Sequence, residues 1–372
     1  MSRFGLVLSI LSLCLPMRAL TQQNAAAGAA TTPPAMAAPQ TSALGPKAGA
    51  ESTPEHTGEP IKLDVVVADK SGKPVAGLDI NDFTLLDNKV PAKIVSFQAF
   101  DGTMQKPRPP VQVMIVIDAV NLPFGQVADE RLQIVGFLKQ NGGRLAEPTT
   151  VYAMTNAGVS TSGWPTLDGN ALAAATDQLE IGLRTTTRSE GAWGAIERFG
   201  FSLEEFISIV NSQAKTPGRK LLIWAGPGWP MLDGPGVETS DKNQRELFDT
   251  IVQLSDKLRQ ARISVYGVAL GMPGIGSFLY QQYLKGVKKA SKAISPNLGL
   301  RVLAVQSGGR AIVPDNDLAG QIGRCVQDAT AFYTLSFDPP HVDHANEYHD
   351  LKIEFDKPGL TALTNTGYYD QP

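Results

Sequence analysis

The stretch Val111-Gln-Val-Met-Ile-Val-Ile-Asp118-Ala-Val-Asn121-Leu-Pro-Phe124 decides the fold of this chain. From Val111 to Ile117 it is apolar and mostly β-branched, broken only by Gln112, and it stops at Asp118. A run of this kind predicts a strand buried on both faces, the inner strand of a parallel sheet. Open α/β sheets bind their ligands beyond the carboxyl ends of the strands. Asp118 and Asn121, just ahead of a helical segment, therefore mark the expected binding edge.

Outward from this strand, apolar runs alternate with helical periodicity. A helix is expected over 128–140, with Leu132, Val135 and Leu138 on one face, and a strand over 149–155. Asp168 is placed to cap a helix carrying Leu172, Ala175 and Leu179. Ile196, Phe199, Leu203, Phe206 and Val210 repeat with a 3.6-residue period. Strands follow at Lys220–Ala225 and Ile263–Leu270, separated by a helix over 241–262. A basic helical insert is expected over 278–294, and Asp315 is expected to cap a last helix bearing Leu318, Ile322 and Val326.

Such alternation gives a Rossmann-like three-layer α/β/α domain with a mostly parallel sheet, over 111–329. The flanks differ. Residues 60–100 and 330–369 carry short strands with no helices between them. The first set is too small to make a two-sheet core alone. The expectation is two halves of one small β-sandwich with the α/β domain inserted between them.

The chain has 372 residues, a net charge of −3 and only 19% charged residues. Without a basic stripe there is no electrostatic case for nucleic acid. Residues 1–20 read as a signal peptide: Arg3, then an apolar core too short for a stable membrane anchor. Cys14 raises a lipoprotein alternative. Residues 21–57, rich in Ala, Pro and Thr, read as a disordered tether. The mature protein is expected to be secreted or periplasmic, with no transmembrane segment. Cleavage leaves Cys325 as the one cysteine, so no internal disulfide is available.

Several segments together resemble a family: the strand ending in Asp118, Arg131–Leu138, Val151-Tyr-Ala-Met154, Gly218-Arg-Lys-Leu-Leu-Ile223, Ile263-Ser-Val-Tyr266, Gln306-Ser-Gly-Gly-Arg310, and the tail Phe332–Pro339 with Gly367-Tyr368. They are similar to von Willebrand factor A domains, in particular the VWFA-related proteins abundant in Acidobacteria. The resemblance implies a six-stranded sheet with flanking helices and a non-enzymatic binding role. It also implies a metal-ion-dependent adhesion site, whose first loop reads Asp-x-Ser-x-Ser and whose hard oxygen ligands suit Mg²⁺. Here that loop keeps Asp118 but has Val120 and Leu122 in place of both serines. The threonine loop is matched by one of Thr185, Thr186 and Thr187. Where a second aspartate is expected, the chain reads Gly226-Pro-Gly-Trp229. The site is thus degenerate, and no cofactor is expected unless Asp118 still holds a metal.

Other chemistry is thinly represented. His341, His344 and His349 fall in one stretch that could hold a transition metal and serve a metal-dependent hydrolase. A solvated hairpin loop accounts for them as well. Cys325, between apolar helix neighbours, reads as core. Trp164 and Trp229 close strand-end loops and could form an aromatic rim near Asp118, since exposed tryptophan commonly anchors interfaces. The functional expectation is recognition of an unknown protein or surface ligand. Asp118, Asn121, Thr186, Trp164 and Trp229 are the candidate contacts. A structural subunit of an envelope complex is a further alternative.

Overall fold

The computed structural model of the protein describes residues 59–100, 110–179, 191–232, 240–274, 276–342 and 344–370. The expected signal peptide and tether, and Thr186 with its two neighbouring threonines, lie outside these residues.

In chain order the first strands are β1 (Ile61–Ala68), β2 (Phe83–Asp87), β3 (Val90–Ala92) and β4 (Ile94–Phe100). The α/β segment contains β5 (Val111–Asp118), α1 (Phe124–Leu138), β6 (Arg144–Thr155), β7 (Gly158–Thr161), β8 (Thr166–Asp168), α2 (Gly169–Gln178) and α3 (Gly191–Gln213). It continues through β9 (Arg219–Ala225), α4 (Asp241–Gln260), β10 (Ile263–Val268), α5 (Gly276–Leu279), α6 (Leu300–Gln306), β11 (Arg310–Ala311) and α7 (Leu318–Gln327). Last come β12 (Phe332–Phe337), β13 (Glu347–Phe355), β14 (Thr361–Leu363) and β15 (Gly367–Asp370).

The central sheet runs β11-β10-β9-β5-β6-β7, with β8 also pairing β6. β5 pairs in parallel with both β6 and β9, and β9 with β10. Alternation along β5 explains why nearly every residue is apolar. Val113, Ile115 and Ile117 face one way and pack with Val127, Ile134 and Ile322 of α1 and α7. Met114 and Val116 face the other way, into a cluster with Phe206 of α3 and Leu254 of α4. Helices on both faces leave neither side of the strand to water.

Two antiparallel sheets complete the mixed α/β fold, in the orders β14-β1-β12-β4 and β15-β13-β2-β3. Each draws strands from both flanks of the α/β segment. They share one apolar cluster, in which Leu63, Val65, Leu85, Tyr333, Leu335, Ile353 and Tyr368 meet, so the pair is sandwich-like. Asp64 of β1 takes a two-pronged ion pair from Arg262, with Nε–Oδ2 at 2.9 Å and Nη2–Oδ1 at 2.6 Å. This pair ties the sandwich to the turn before β10. Among the described residues no helix is long and apolar enough to cross a membrane.

Two expectations are corrected. The basic helical insert over 278–294 is not a helix: after α5 come only short 3₁₀ turns at Tyr280–Tyr283 and Ala290–Lys292. Its middle is pinned to the sandwich instead. Gly286 lies flat against the Tyr348 ring, and the Val287 carbonyl accepts from the Tyr369 hydroxyl at 3.0 Å. The cap of α7 is Asp317, whose Oδ1 accepts from the Gly320 N–H at 2.8 Å, and not Asp315. Asp315 is occupied with Gln321 and Arg324. Asp168 does cap α2, accepting from the Ala171 N–H.

Candidate functional site

Asp118 ends β5 at the carboxyl edge of the central sheet, and its carboxylate is completely enclosed. Oδ1 accepts from the backbone N–H groups of Val120 at 3.0 Å and Asn121 at 2.9 Å. This is the local turn that an aspartate at a strand end forms with the residues after it. Oδ2 accepts from the Asn121 carboxamide at 2.9 Å and from the Trp224 indole N–H at 3.1 Å. The Asn121 carboxamide also donates to Ser202 Oγ of α3 at 2.9 Å. Burial pushes the Asp118 carboxyl up from its ordinary range, against the hydrogen bonds from Asn121, Trp224 and Val120 that favour the ionised form.

These residues do not fit a Mg²⁺ site. A cation needs the carboxylate's lone pairs and several further hard oxygens. Here N–H groups from the backbone, an amide and an indole already point at both carboxylate oxygens. Val120 and Leu122 are buried in the two apolar clusters that flank the sheet, Val120 on the α3 face and Leu122 on the α1 face. Gly226, where a second acidic ligand was sought, has φ 133°, and a Cβ there would stand 2.8 Å from the Asp118 Cβ. The backbone after β9 is pressed onto Asp118 and leaves no room for a cation between them. Among the described residues no three His, Cys, Asp or Glu side chains gather as a metal site.

A second buried carboxyl lies nearby. Glu130 of α1 is 1% exposed. Its Oε1 takes one long contact from the Leu270 N–H at 3.5 Å, and its Oε2 has no partner. Burial, reinforced by the charge of Asp118, pushes Glu130 up to about 8. Beneath the strand ends Asp118 and Glu130 are thus both enclosed, with Gly226 after β9 against Asp118 and the Leu270 N–H after β10 toward Glu130.

Above these carboxyls is an open cleft of about 570 Å³. Asn121 stands at its base. Pro227, Pro230 and Met231 follow β9, Leu279 belongs to α5, and Arg198 and Arg301 come from α3 and α6. The cleft is of the size that takes a small ligand or a few side chains. The Arg301 Nη1 donates to the Ile312 carbonyl at 3.1 Å, and its guanidinium lies 6.0 Å from the centre of the Tyr280 ring.

The expected aromatic rim does not form. Trp229 is buried under the cleft, its indole donating to the Leu298 carbonyl at 2.9 Å. It packs edge-on against Trp224 and Phe206, with ring centres 5.5 Å apart in each case. Trp164 is 91% exposed but sits elsewhere. The β6 register pairs Tyr152 with Thr161 and Thr149 with Thr166, so Trp164 is level with the middle of β6, at the lateral margin of the sheet. Asp118 is level with Met154. Trp164 is thus displaced by roughly 13 Å along the strand direction as well as sideways.

The three histidines do not converge either. His341 and His344 are exposed, whereas His349 lies in β13 and is buried. The hairpin loop expected up to Leu351 ends earlier, because pairing with β15 starts at Glu347. His349 Nδ1 is 2.7 Å from Asp87 Oδ1, and the Tyr368 hydroxyl donates to Asp87 Oδ2 at 2.7 Å. This is a buried polar clamp between β2, β13 and β15. Cys325 is fully buried, and burial pushes its thiol well up, which suits core packing and not a nucleophile.

Sequence reasoning singled out Asp118 and Asn121 but not their neighbours Trp224, Ser202 and Glu130, nor Arg198 and Arg301 of the cleft. Trp224 was hidden inside an apolar strand, where only its indole N–H hinted at a partner. Ser202 interrupts the apolar face of α3 between Phe199 and Leu203, which was the one usable sign.

No protein-family model matches the chain, and no curated protein matches it. Among solved structures it is loosely similar to the human COPII-coat protein Sec24c, at 11% identity and a TM-score of 0.31, over 73% of this chain and 46% of that one. It thus spans about half of that structure's length. The pilus adhesin SpaC from Lactobacillus rhamnosus GG is similar at 11% identity and a TM-score of 0.31, over 68% of this chain and 35% of the adhesin. The TFIIH p34 N-terminal domain is similar at 13% identity and a TM-score of 0.25, over 43% of this chain and 81% of that domain. Likenesses this loose carry no weight in the functional reading.

Proposed function

We propose that this is a secreted or periplasmic recognition protein. In this reading a VWFA-like α/β domain, set in a β-sandwich, binds a protein or surface ligand without metal at the cleft above Asp118. The observation that carries the reading is the state of Asp118. Its carboxylate is fully committed to internal donors, so it braces the floor of a cleft instead of offering a ligand position. The resemblance of the sequence to VWFA-related proteins supports this reading, and the placement of the cleft agrees with the rule that α/β sheets bind at their strand ends. A metal-dependent hydrolase built on His341, His344 and His349 gains nothing from a geometry in which the third histidine is buried with Asp87.

Calorimetric titration of the full chain with Mg²⁺, Mn²⁺ and Zn²⁺ tests the metal-free part. The expected result is no binding heat. Mg²⁺ heat that disappears in Asp118→Ala would restore an adhesion site, and Zn²⁺ heat that disappears only in His344→Ala would favour the enzyme. Capture of envelope proteins by the wild type and by Gly274→Trp, which fills the cleft from a glycine with open space at its Cβ, tests the recognition part. Partners retained equally by both forms would place recognition elsewhere.

A further inference from the structure

The cleft has an uneven chemistry. Among the described lining residues the charged groups are the two guanidiniums of Arg198 and Arg301, with no aspartate or glutamate beside them. Arg301 is held in place by the Ile312 carbonyl and the Tyr280 ring, neither of which neutralises it. Arg198 has no ion pair or hydrogen bond among the described residues. For a chain of net charge −3, such a site is a local reversal of sign.

The rest of the lining is apolar, and it continues outward. Met272 is 85% exposed, and Phe278 and Leu279, later in the same stretch of chain, are 45% and 40% exposed. All three follow β10, and Met272 and Leu279 line the cleft. Contiguous exposed apolar surface on a soluble domain marks a binding surface. A free inorganic anion could engage the guanidiniums but would leave this apolar margin in water. A ligand that satisfies both features must carry a carboxylate and apolar groups a few ångströms from it.

We infer that the cleft takes an acidic peptide segment of a partner protein, the carboxylate of an Asp or Glu side chain engaging Arg198 and Arg301 while neighbouring apolar side chains cover Met272, Phe278 and Leu279. Guanidinium is the cation best suited to this, because its planar fork matches a carboxylate with two parallel hydrogen bonds. The inference deepens the recognition role proposed above and rests on it.

Selection of a random peptide library on the full chain tests it, run in parallel on Arg198→Gln, Arg301→Gln and Gly274→Trp. The expected result is enrichment of peptides with Asp or Glu beside apolar residues on the wild type. Each arginine substitution should then weaken the best peptide about ten-fold or more, because it removes a charge-assisted hydrogen bond to the carboxylate. Arg198→Gln is the cleaner variant, because Arg198 supports nothing else in the described structure. Replacing the peptide's acid by its amide should cost as much, and binding should weaken as salt rises. Cleft-dependent peptides, lost on Gly274→Trp, that lack acidic residues or ignore both arginine substitutions would overturn the inference and leave the recognition role standing. Enrichment that is absent, or equal on Gly274→Trp, would overturn both.

Discussion

Glu130 offers the sharpest test of the enclosed carboxyls. It is enclosed on α1 with one long hydrogen bond and one bare oxygen, and burial raises it from 4.5 to about 8. In the unfolded chain this carboxyl ionises near its ordinary value, whereas in the fold it keeps its proton until about pH 8. The folded state therefore binds more protons across that window, and stability falls as pH rises through it, then levels off above the folded value. Each pH unit inside the window costs about 1.4 kcal/mol, so at neutral pH the accumulated cost is about 3 kcal/mol. That is a large share of the roughly 5–15 kcal/mol typical of a folded domain.

Glu130→Gln keeps the shape and the acceptor for Leu270 but cannot titrate. Its new amide N–H has no partner either, so its absolute stability is not the informative quantity. The pH slope is. Urea unfolding of wild type and variant at matched pH between about 5 and 8 should show a difference that grows in favour of the variant with rising pH, approaching 1.4 kcal/mol per unit. Comparing slopes cancels titrating groups that do not interact with Glu130, His349 among them. Parallel curves for the two proteins would refute a protonated, desolvated Glu130.

Three further outcomes follow from the same contacts. Trp224→Phe removes the indole donor to Asp118 with both groups fully buried, and should lower stability by roughly 1.5–3 kcal/mol in chemical denaturation; an unchanged midpoint would show that Asp118 does not need it. Gly226→Ala places a Cβ against Asp118 at a φ that side chains rarely adopt, and should cost roughly 1–3 kcal/mol or more, so a variant melting with the wild type would contradict the close approach. Burial pulls His349 down, but its hydrogen bond and ion pair with Asp87 outweigh this and leave it raised above 6.5. Its contribution is therefore complete below the unfolded value and is lost as pH rises through the folded one. The stability deficit of His349→Gln should be largest in acid and shrink toward alkaline pH, and a deficit independent of pH would refute the Asp87 pairing.

The α/β segment was legible because its signals are local. The apolar run of β5 has no polar face, so it had to lie inside a sheet with helices on both sides, and Val113 and Met114 do face opposite cores. The 3.6-residue repeat of α3 and the Asp168 cap of α2 are short-range patterns of the same kind. The insert over 278–294 misled because its helical composition was outweighed by distant partners, Tyr348 and Tyr369, which hold Gly286 and Val287 against the sandwich. His349 misled for the same reason: strand pairing with β15 carried it out of the loop and next to Asp87.

By itself the sequence determined that Asp118 ends a buried inner strand and that Val120 and Leu122 cannot supply the hydroxyls of an adhesion site. Those are properties of residue type and spacing. Only the tertiary structure decided what Asp118 does instead. Its donors arrive from β9, through Trp224, and from its own loop, through an Asn121 steadied by α3 Ser202. The same packing buried Trp229, left Trp164 on the lateral margin, and brought Arg198 and Arg301, about a hundred residues apart in the chain, to one cleft. A carboxylate's role depends on which N–H groups the fold delivers within about 3 Å, and that distance is set by contacts between segments far apart in the chain.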